Sequence, residues 1–261
     1  ECSGKIGTFT AKPTNRSRKN AYWKLAVKNG CFFGLPYSPG EAEIAILSAP
    51  WDVTTSYRDG TSRGPRAVLE ASYQLDFFSP YRKGAWKTRI ATLPTPPSWY
   101  ERNLTLRALA KGEIETLEEG GTADAAQLAR INRECASIHA ETEAAAREQL
   151  RAGRRLVTLG GDHSVSLGPI RALASELTSF SVLHIDAHAD LREAYEGFEF
   201  SHASIMHHVK DLPSVNRLVQ VGLRDVSPGE MAEIEGNAKI RAFFDWDLRR
   251  RAAAGEAWAE Q

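Results

Sequence analysis

Cysteine is scarce in this chain and shows no pairing pattern: Cys2, Cys31 and Cys135 are odd in number, widely spaced and free of any Cys-x-x-Cys. That excludes a disulfide framework and a thiolate zinc site, and it suits a reducing, cytoplasmic setting. An excess of one charge is missing as well. Lys plus Arg and Asp plus Glu each total 33, so there is no global field to hold a polyanion and nucleic acid is not an expected partner. No apolar run approaches the roughly 20 residues a membrane span needs. The first thirty residues also lack the continuous apolar stretch of a signal peptide. What remains is ordinary: 42% hydrophobic and 25% charged residues over 261 positions, enough to bury one sizeable core. Both ends read as cut. The chain begins at Glu1, and Arg249 to Gln261 is an Ala-, Glu- and Arg-rich helical run with no cap or breaker after it, so a fragment of a longer protein is expected.

Residues 1–42 are basic, carry Gly34, Pro36, Pro39 and Gly40, and show no sustained period; they read as an extension that packs late or weakly. The remainder, 43–261, reads as a single α/β domain. Glu43 to Ala49 is a short apolar strand, and Gly64-Pro65 opens a helix to about Ser72. Lys87 to Leu93 is a further strand candidate before the proline-rich loop at Pro94 to Pro97. Ala123 to Ala152 holds a helical period through Leu128, Ile131, Cys135, Ile138, Ala145 and Leu150. Strands at 155–159, 180–185, 217–221 and 239–244 then alternate with helices near 169–177, 203–209 and 228–235. Such alternation predicts a mostly parallel sheet covered by helices in three layers, α/β/α.

Ligands of a parallel sheet sit beyond the carboxyl ends of its strands. Two of those loops stand out: Gly160-Gly161-Asp162-His163-Ser164 and Asp186-Ala187-His188-Ala189-Asp190. In an extended segment Asp186, His188 and Asp190 share a side, with small alanines between them. If the two strands are neighbours, His163 joins them. Two carboxylates and an imidazole gathered this way repel or compete unless a cation neutralises them. Oxygen and imidazole donors without thiolate suit manganese, iron or zinc. His184 within a strand and His139 on the long helix read as structural, and His207 and His208 as helix-face residues. Asn15-Arg16-Ser17 and Asn103-Leu104-Thr105 match glycosylation sequons by chance.

Together the two motifs resemble the ureohydrolase superfamily of arginases and agmatinases. Pro50-Trp51-Asp52, the run from Ser56 to Pro65, and Leu191 to Gly197 with Ser201-His202-Ala203 extend the likeness over residues 43–250, closer to agmatinases than to arginases. The resemblance implies an arginase-like α/β/α fold, two manganese ions and hydrolysis of a guanidino group to urea and an amine. Position by position it implies that His163 binds one ion, His188 the other, that Asp186 bridges them and that Asp190 joins the first. It assigns proton transfer to His202, while Asp162 matches no ligand and reads as a residue orienting its loop. Family likeness also implies a homo-oligomer, trimeric or hexameric.

One departure stands against that pattern. The family takes two more ligands from an Asp-x-Asp on a later strand, and this chain reaches none; Asp245-Trp246-Asp247 follows a strand, but Asp245 reads as the N-cap of a helix that includes Trp258. The sheet is accordingly expected to be incomplete at its C-terminal end, and the chain by itself to bind manganese weakly, to be essentially inactive and to aggregate. Agmatine is the expected substrate because Glu193, Glu196 and Glu199 near the site favour a cationic amine, with Arg192 as the counterweight. Guanidinobutyrate, guanidine, arginine and formiminoglutamate stay open, as do a non-catalytic metal-binding protein and a mononuclear zinc hydrolase using His163, Asp186 and His188.

Overall fold

A computed structural model describes residues 27–76 and 78–261; Cys2 and the Asn15 sequon lie outside them. Among these residues six strands form two parallel three-stranded sheets. In the first, β1 (Ile44–Ala49) lies between β2 (Ile90–Thr92) and β3 (Arg155–Gly160), with Ile44 opposite both Ile90 and Arg155 and Ala49 opposite Gly160. In the second, β5 (Val215–Leu223) lies between β4 (Phe180–Ile185) and β6 (Ile240–Phe244). The alternation of strands and helices is the one the sequence predicts. The single sheet is not: β3 and β4 each pair on one side, and among the described residues no strand joins them. Parallel strands normally bury both faces. Here Leu183 and Ile185 on β4 remain 64% and 74% exposed.

Among the described residues seven helices cover these sheets: α1 (Gly64–Ser72), α2 (Pro97–Glu118), α3 (Ala125–Arg151), α4 (Leu167–Glu176), α5 (Ile205–Lys210), α6 (Pro228–Gly236) and α7 (Asp245–Ala253). Helix α2 is absent from the sequence reading, which sees only a proline-rich loop. Pro97 sits in its first turn, where the missing N–H costs least, and its buried stripe of Trp99, Asn103, Leu106, Ala110, Glu113 and Ile114 is interrupted by polar residues. Those polar residues are satisfied by tertiary contacts. Asn103 pairs with Asp52, and the Glu113 carboxylate accepts the Asp124 N–H at 2.7 Å just where Asp124 caps α3.

One core gathers Leu47, Trp51, Leu106, Ile131 and Ile138 under α2 and α3; a second gathers Leu167, Leu191, Ile205, Leu218 and Leu223. Phe200 packs against both. The halves are further joined where α3 meets α4, because Gly168 lets the helix backbones approach so closely that a Cβ would lie within 3.0 Å of Thr142 and of the His139 and Glu143 backbone. Two boundaries are corrected. Residues 30–35 are docked, with Phe32 buried and its N–H donated to Thr92 Oγ1 at 2.8 Å. At the other end Phe244 is the N-cap of α7; Asp245 is its first residue and accepts from Arg249, and Trp258 lies beyond the helix in a separate 3₁₀ turn.

Candidate metal centre

The loop after β3 is shaped by glycine. Gly161 has φ of 50°, and a side chain there would strike the Trp51 and Ala49 carbonyls. Asp162 then donates its N–H to Trp51 O at 2.8 Å and caps the following turn (His163–Ser166), accepting from the N–H and hydroxyl of Ser164. Its other oxygen is buried, and burial pushes its carboxyl above the usual carboxylate range. The N-terminal motif supports this loop from beneath. Asp52 accepts from the Gly60 and Ser62 N–H groups, and Gly161 donates to Thr61 O. His163 leaves this turn aimed at the carboxylates of the second loop.

The second loop is pinned from three sides. Asp186 donates its N–H to Val221 O, Ala187 O accepts from Arg224 and Asp225, and Leu191 donates to the Glu230 carboxylate that also caps α6. Asp190 has φ of 54°, a strained value for a residue with a side chain, and its carbonyl receives the Met206 and His207 N–H groups at the start of α5. That conformation turns the Asp190 carboxylate back beneath His163. Nδ1 of His163 lies 2.6 Å from Oδ2 of Asp190 and 3.7 Å from Oδ2 of Asp186.

Electrostatics follow from this packing. Burial pulls the His163 pKa down, but the Asp190 hydrogen bond and the charges of Asp190, Asp186 and Asp162 outweigh it and hold the ring above its ordinary value. Burial acts on Asp186 in the opposite sense, yet the His184 ring facing it, the His188 N–H and the His163 ring keep its carboxyl well below the usual range. Donor atoms of His163, His184, Asp186 and Asp190 lie within 4.8 Å of one another. His188 is not in that group. A bend at Ala187 breaks the extended run, so Nδ1 of His188 stands 3.4 Å from Oδ1 of Asp186 while Nε2 faces Asp225 at 3.6 Å, with the side chain 59% exposed.

The sequence profile of the arginase family matches residues 42–259. The chain belongs to the arginase family. Among curated relatives it is 33% identical over 189 residues to an N(1)-aminopropylagmatine ureohydrolase of Thermus thermophilus, covering 72% of this chain and 53% of that protein. It is 29% identical over 188 residues to a Bacillus anthracis agmatinase, covering 70% and 53%. The chain thus spans about half the length of these relatives. The fold matches the proclavaminate amidino hydrolase of Streptomyces clavuligerus with a TM-score of 0.60 at 20% identity, covering 90% of this chain and 68% of that one. Agmatine ureohydrolase of Thermoplasma volcanium matches at 0.56 and 21% identity, over 92% and 68%.

Within this arginase-family chain, two carboxylates beside an imidazole supply hard oxygen and borderline nitrogen donors without thiolate, a set that fits manganese or a similar divalent cation. His202 opens the 3₁₀ turn before α5, its ring edge-on to Tyr195 at 6.0 Å between centroids. Its Nδ1 is buried and finds no hydrogen-bond partner among the described residues. The sequence reading takes His184 as structural and does not place it beside these carboxylates. The same alternate spacing that picks out 186, 188 and 190 reaches back to 184, and a Gln inside the apolar run Leu218-Val219-Gln220-Val221 is a second signal. His207 and His208 lie on α5 as expected, with His208 stacked on Phe200, and His139 is buried in α3.

Proposed function

We propose that the protein is a metal-dependent ureohydrolase that cleaves a guanidino group to urea and an amine, with agmatine as substrate and urea and putrescine as products. The observation carrying this reading is the convergence of His163, Asp186 and Asp190 beyond the carboxyl ends of β3 and β4. His163, Asp186 and Asp190 would hold one manganese, and Asp186 with His188 a second. When bound, the pair supplies Lewis acidity that makes water a nucleophile at neutral pH.

The chain's own residues do the rest. Asp190, locked by its left-handed backbone, keeps its carboxylate under His163, and Asp162 orients the turn that presents His163. His202 moves the proton to the departing amine at its ring nitrogen, the role of a general acid. Glu196, whose carboxyl is raised by burial and by Glu118 against the pull of His202 and Arg107, lies on the His202 side with Glu193 and Glu199 in the same loop. These acids favour a substrate ending in an amine over one ending in an amino acid. The two named relatives act, by their names, on agmatine or its aminopropyl derivative. A cytoplasmic homo-oligomer belongs to the same proposal.

The test is a manganese titration followed by urea release from agmatine, guanidinobutyrate, guanidine and arginine. Agmatine is expected to be the best substrate. Arginine as the best substrate contradicts the specificity, and manganese binding without urea from any of the four leaves a metal-binding protein without turnover.

A further inference from the structure

The geometric cluster includes His184, whose side chain is 3% exposed and whose Nε2 lies 3.5 Å from Oδ2 of Asp186 and 3.9 Å from Oδ2 of Asp190. A ring so placed is either a metal ligand or a hydrogen-bond donor to the ligands. The choice depends on which nitrogen carries the proton, and Gln220 decides it. Gln220 is wholly buried in the centre of β5, opposite His184 in the strand register. Its Nε2 donates to the Ala189 carbonyl at 2.7 Å and lies 3.0 Å from Nδ1 of His184. Turning the amide over would set two acceptor oxygens 2.7 Å apart, so its orientation is determined by Ala189. One amide hydrogen serves Ala189 and the other points at His184, which makes Nδ1 an acceptor. The proton of the neutral ring is therefore on Nε2, and a protonated nitrogen has no lone pair for a metal.

We infer that His184 is a positioning residue and not a ligand: Gln220, anchored on the Ala189 carbonyl, holds it in the tautomer whose Nε2–H steadies Asp186. Two buried atoms fit this reading. Nε2 of His184 closes no hydrogen bond among the described residues, standing at the outer limit from Asp186, and Oε1 of Gln220 is likewise unpaired. The donor is thus poised for a carboxylate that has only to shift by a few tenths of an ångström. The anchoring carbonyl belongs to the residue preceding Asp190, so the same glutamine ties together both carboxylates of the site. The inference rests on the metal-site reading for its consequence, but the tautomer stands independently of it.

Long-range proton–nitrogen NMR of the histidine-labelled full chain reads the tautomer directly. A protonated Nε2 and an unprotonated Nδ1 are expected for His184, and zinc alone, as a diamagnetic probe, should leave that proton in place. In Gln220→Leu the two tautomers should mix. For manganese, His184→Phe is expected to weaken binding about 10- to 100-fold, the usual effect of losing a partner of a metal ligand. His184→Gln, whose terminal amide can stand where Nε2–H stood, should recover most of it. An unprotonated Nε2, its loss on adding zinc, or unchanged manganese affinity in a folded His184→Phe overturns the proposal. If the wild-type chain binds no manganese, the hydrolase reading falls and the NMR result still decides the tautomer; if His184→Phe does not fold, the tautomer and His184→Gln carry the test.

Discussion

The two loops that meet at the candidate centre hold their shape by opposite means. The loop after β3 uses glycine at its left-handed position, Gly161, and is tied by backbone hydrogen bonds to Trp51 and Thr61, while one Asp162 oxygen stays buried and unpaired. The loop after β4 puts Asp190 in the left-handed region and leaves buried groups next to it unpaired, among them Nε2 of His184. A left-handed residue with a side chain costs roughly 1–3 kcal/mol and persists only where the surroundings dictate it. The first loop is therefore scaffold that delivers one side chain. The second stores strain at Asp190, the residue whose carboxylate it sets against His163.

The largest effect should come from the strained loop. Asp186→Ala is expected to abolish metal binding at both proposed positions, because one carboxylate serves two ions, whereas His188→Ala should weaken only one. Elemental analysis checks this, and unchanged metal content in Asp186→Ala removes the bridging role. Next is His202→Ala, for which turnover should fall roughly 10²- to 10⁴-fold with metal retained. Loss of metal or of the fold in that variant would make His202 structural instead.

The scaffold loop should answer in stability before activity. Gly161→Ala places a methyl group against the Trp51 and Ala49 carbonyls at φ of 50°, and about 2–4 kcal/mol should be lost in urea unfolding. A loss below half a kcal/mol would mean the segment beneath can yield, and the contrast between the loops would disappear. A smaller effect is the pH dependence of the metal-free chain. The His163 pKa is raised on folding, so its contribution is complete below the ordinary histidine value near 6.5 and is lost as pH rises through the higher folded value. Asp186 is shifted the other way: its contribution is complete above the ordinary aspartate value near 3.9 and fades as pH falls toward the depressed one. Thermal melts across pH should show the first slope reduced in Asp190→Asn.

Much of this architecture was legible in the chain because apolar periodicity reports directly on burial. The Ala123-to-Ala152 pattern became α3, and the alternation after Gly153 became β3 to β6 with their helices. Helix α2 was hidden for the same reason, since Asn103 and Glu113 face inward and are satisfied only by Asp52 and by the Asp124 N–H, partners that a linear pattern does not contain. In the site, alternate spacing singles out Asp186 and Asp190, whose carboxylates lie 3.7 Å and 2.6 Å from His163 Nδ1. It also assumed an extended backbone through residue 190, which the bend at Ala187 and the left-handed Asp190 both break.

What the amino-acid sequence determined alone is the type of donor side chain present and the order of strands and helices after Gly153, because residue type and local periodicity are properties of neighbours along the chain. Tertiary structure decided which donors meet. It brought His163 to Asp190 although β3 and β4 do not pair, turned His188 toward Asp225, and set Gln220 of β5 against His184 of β4. Each of these depends on contacts between segments 20 or more residues apart, where backbone direction and buried hydrogen-bond demand, and not local pattern, set the position of a side chain.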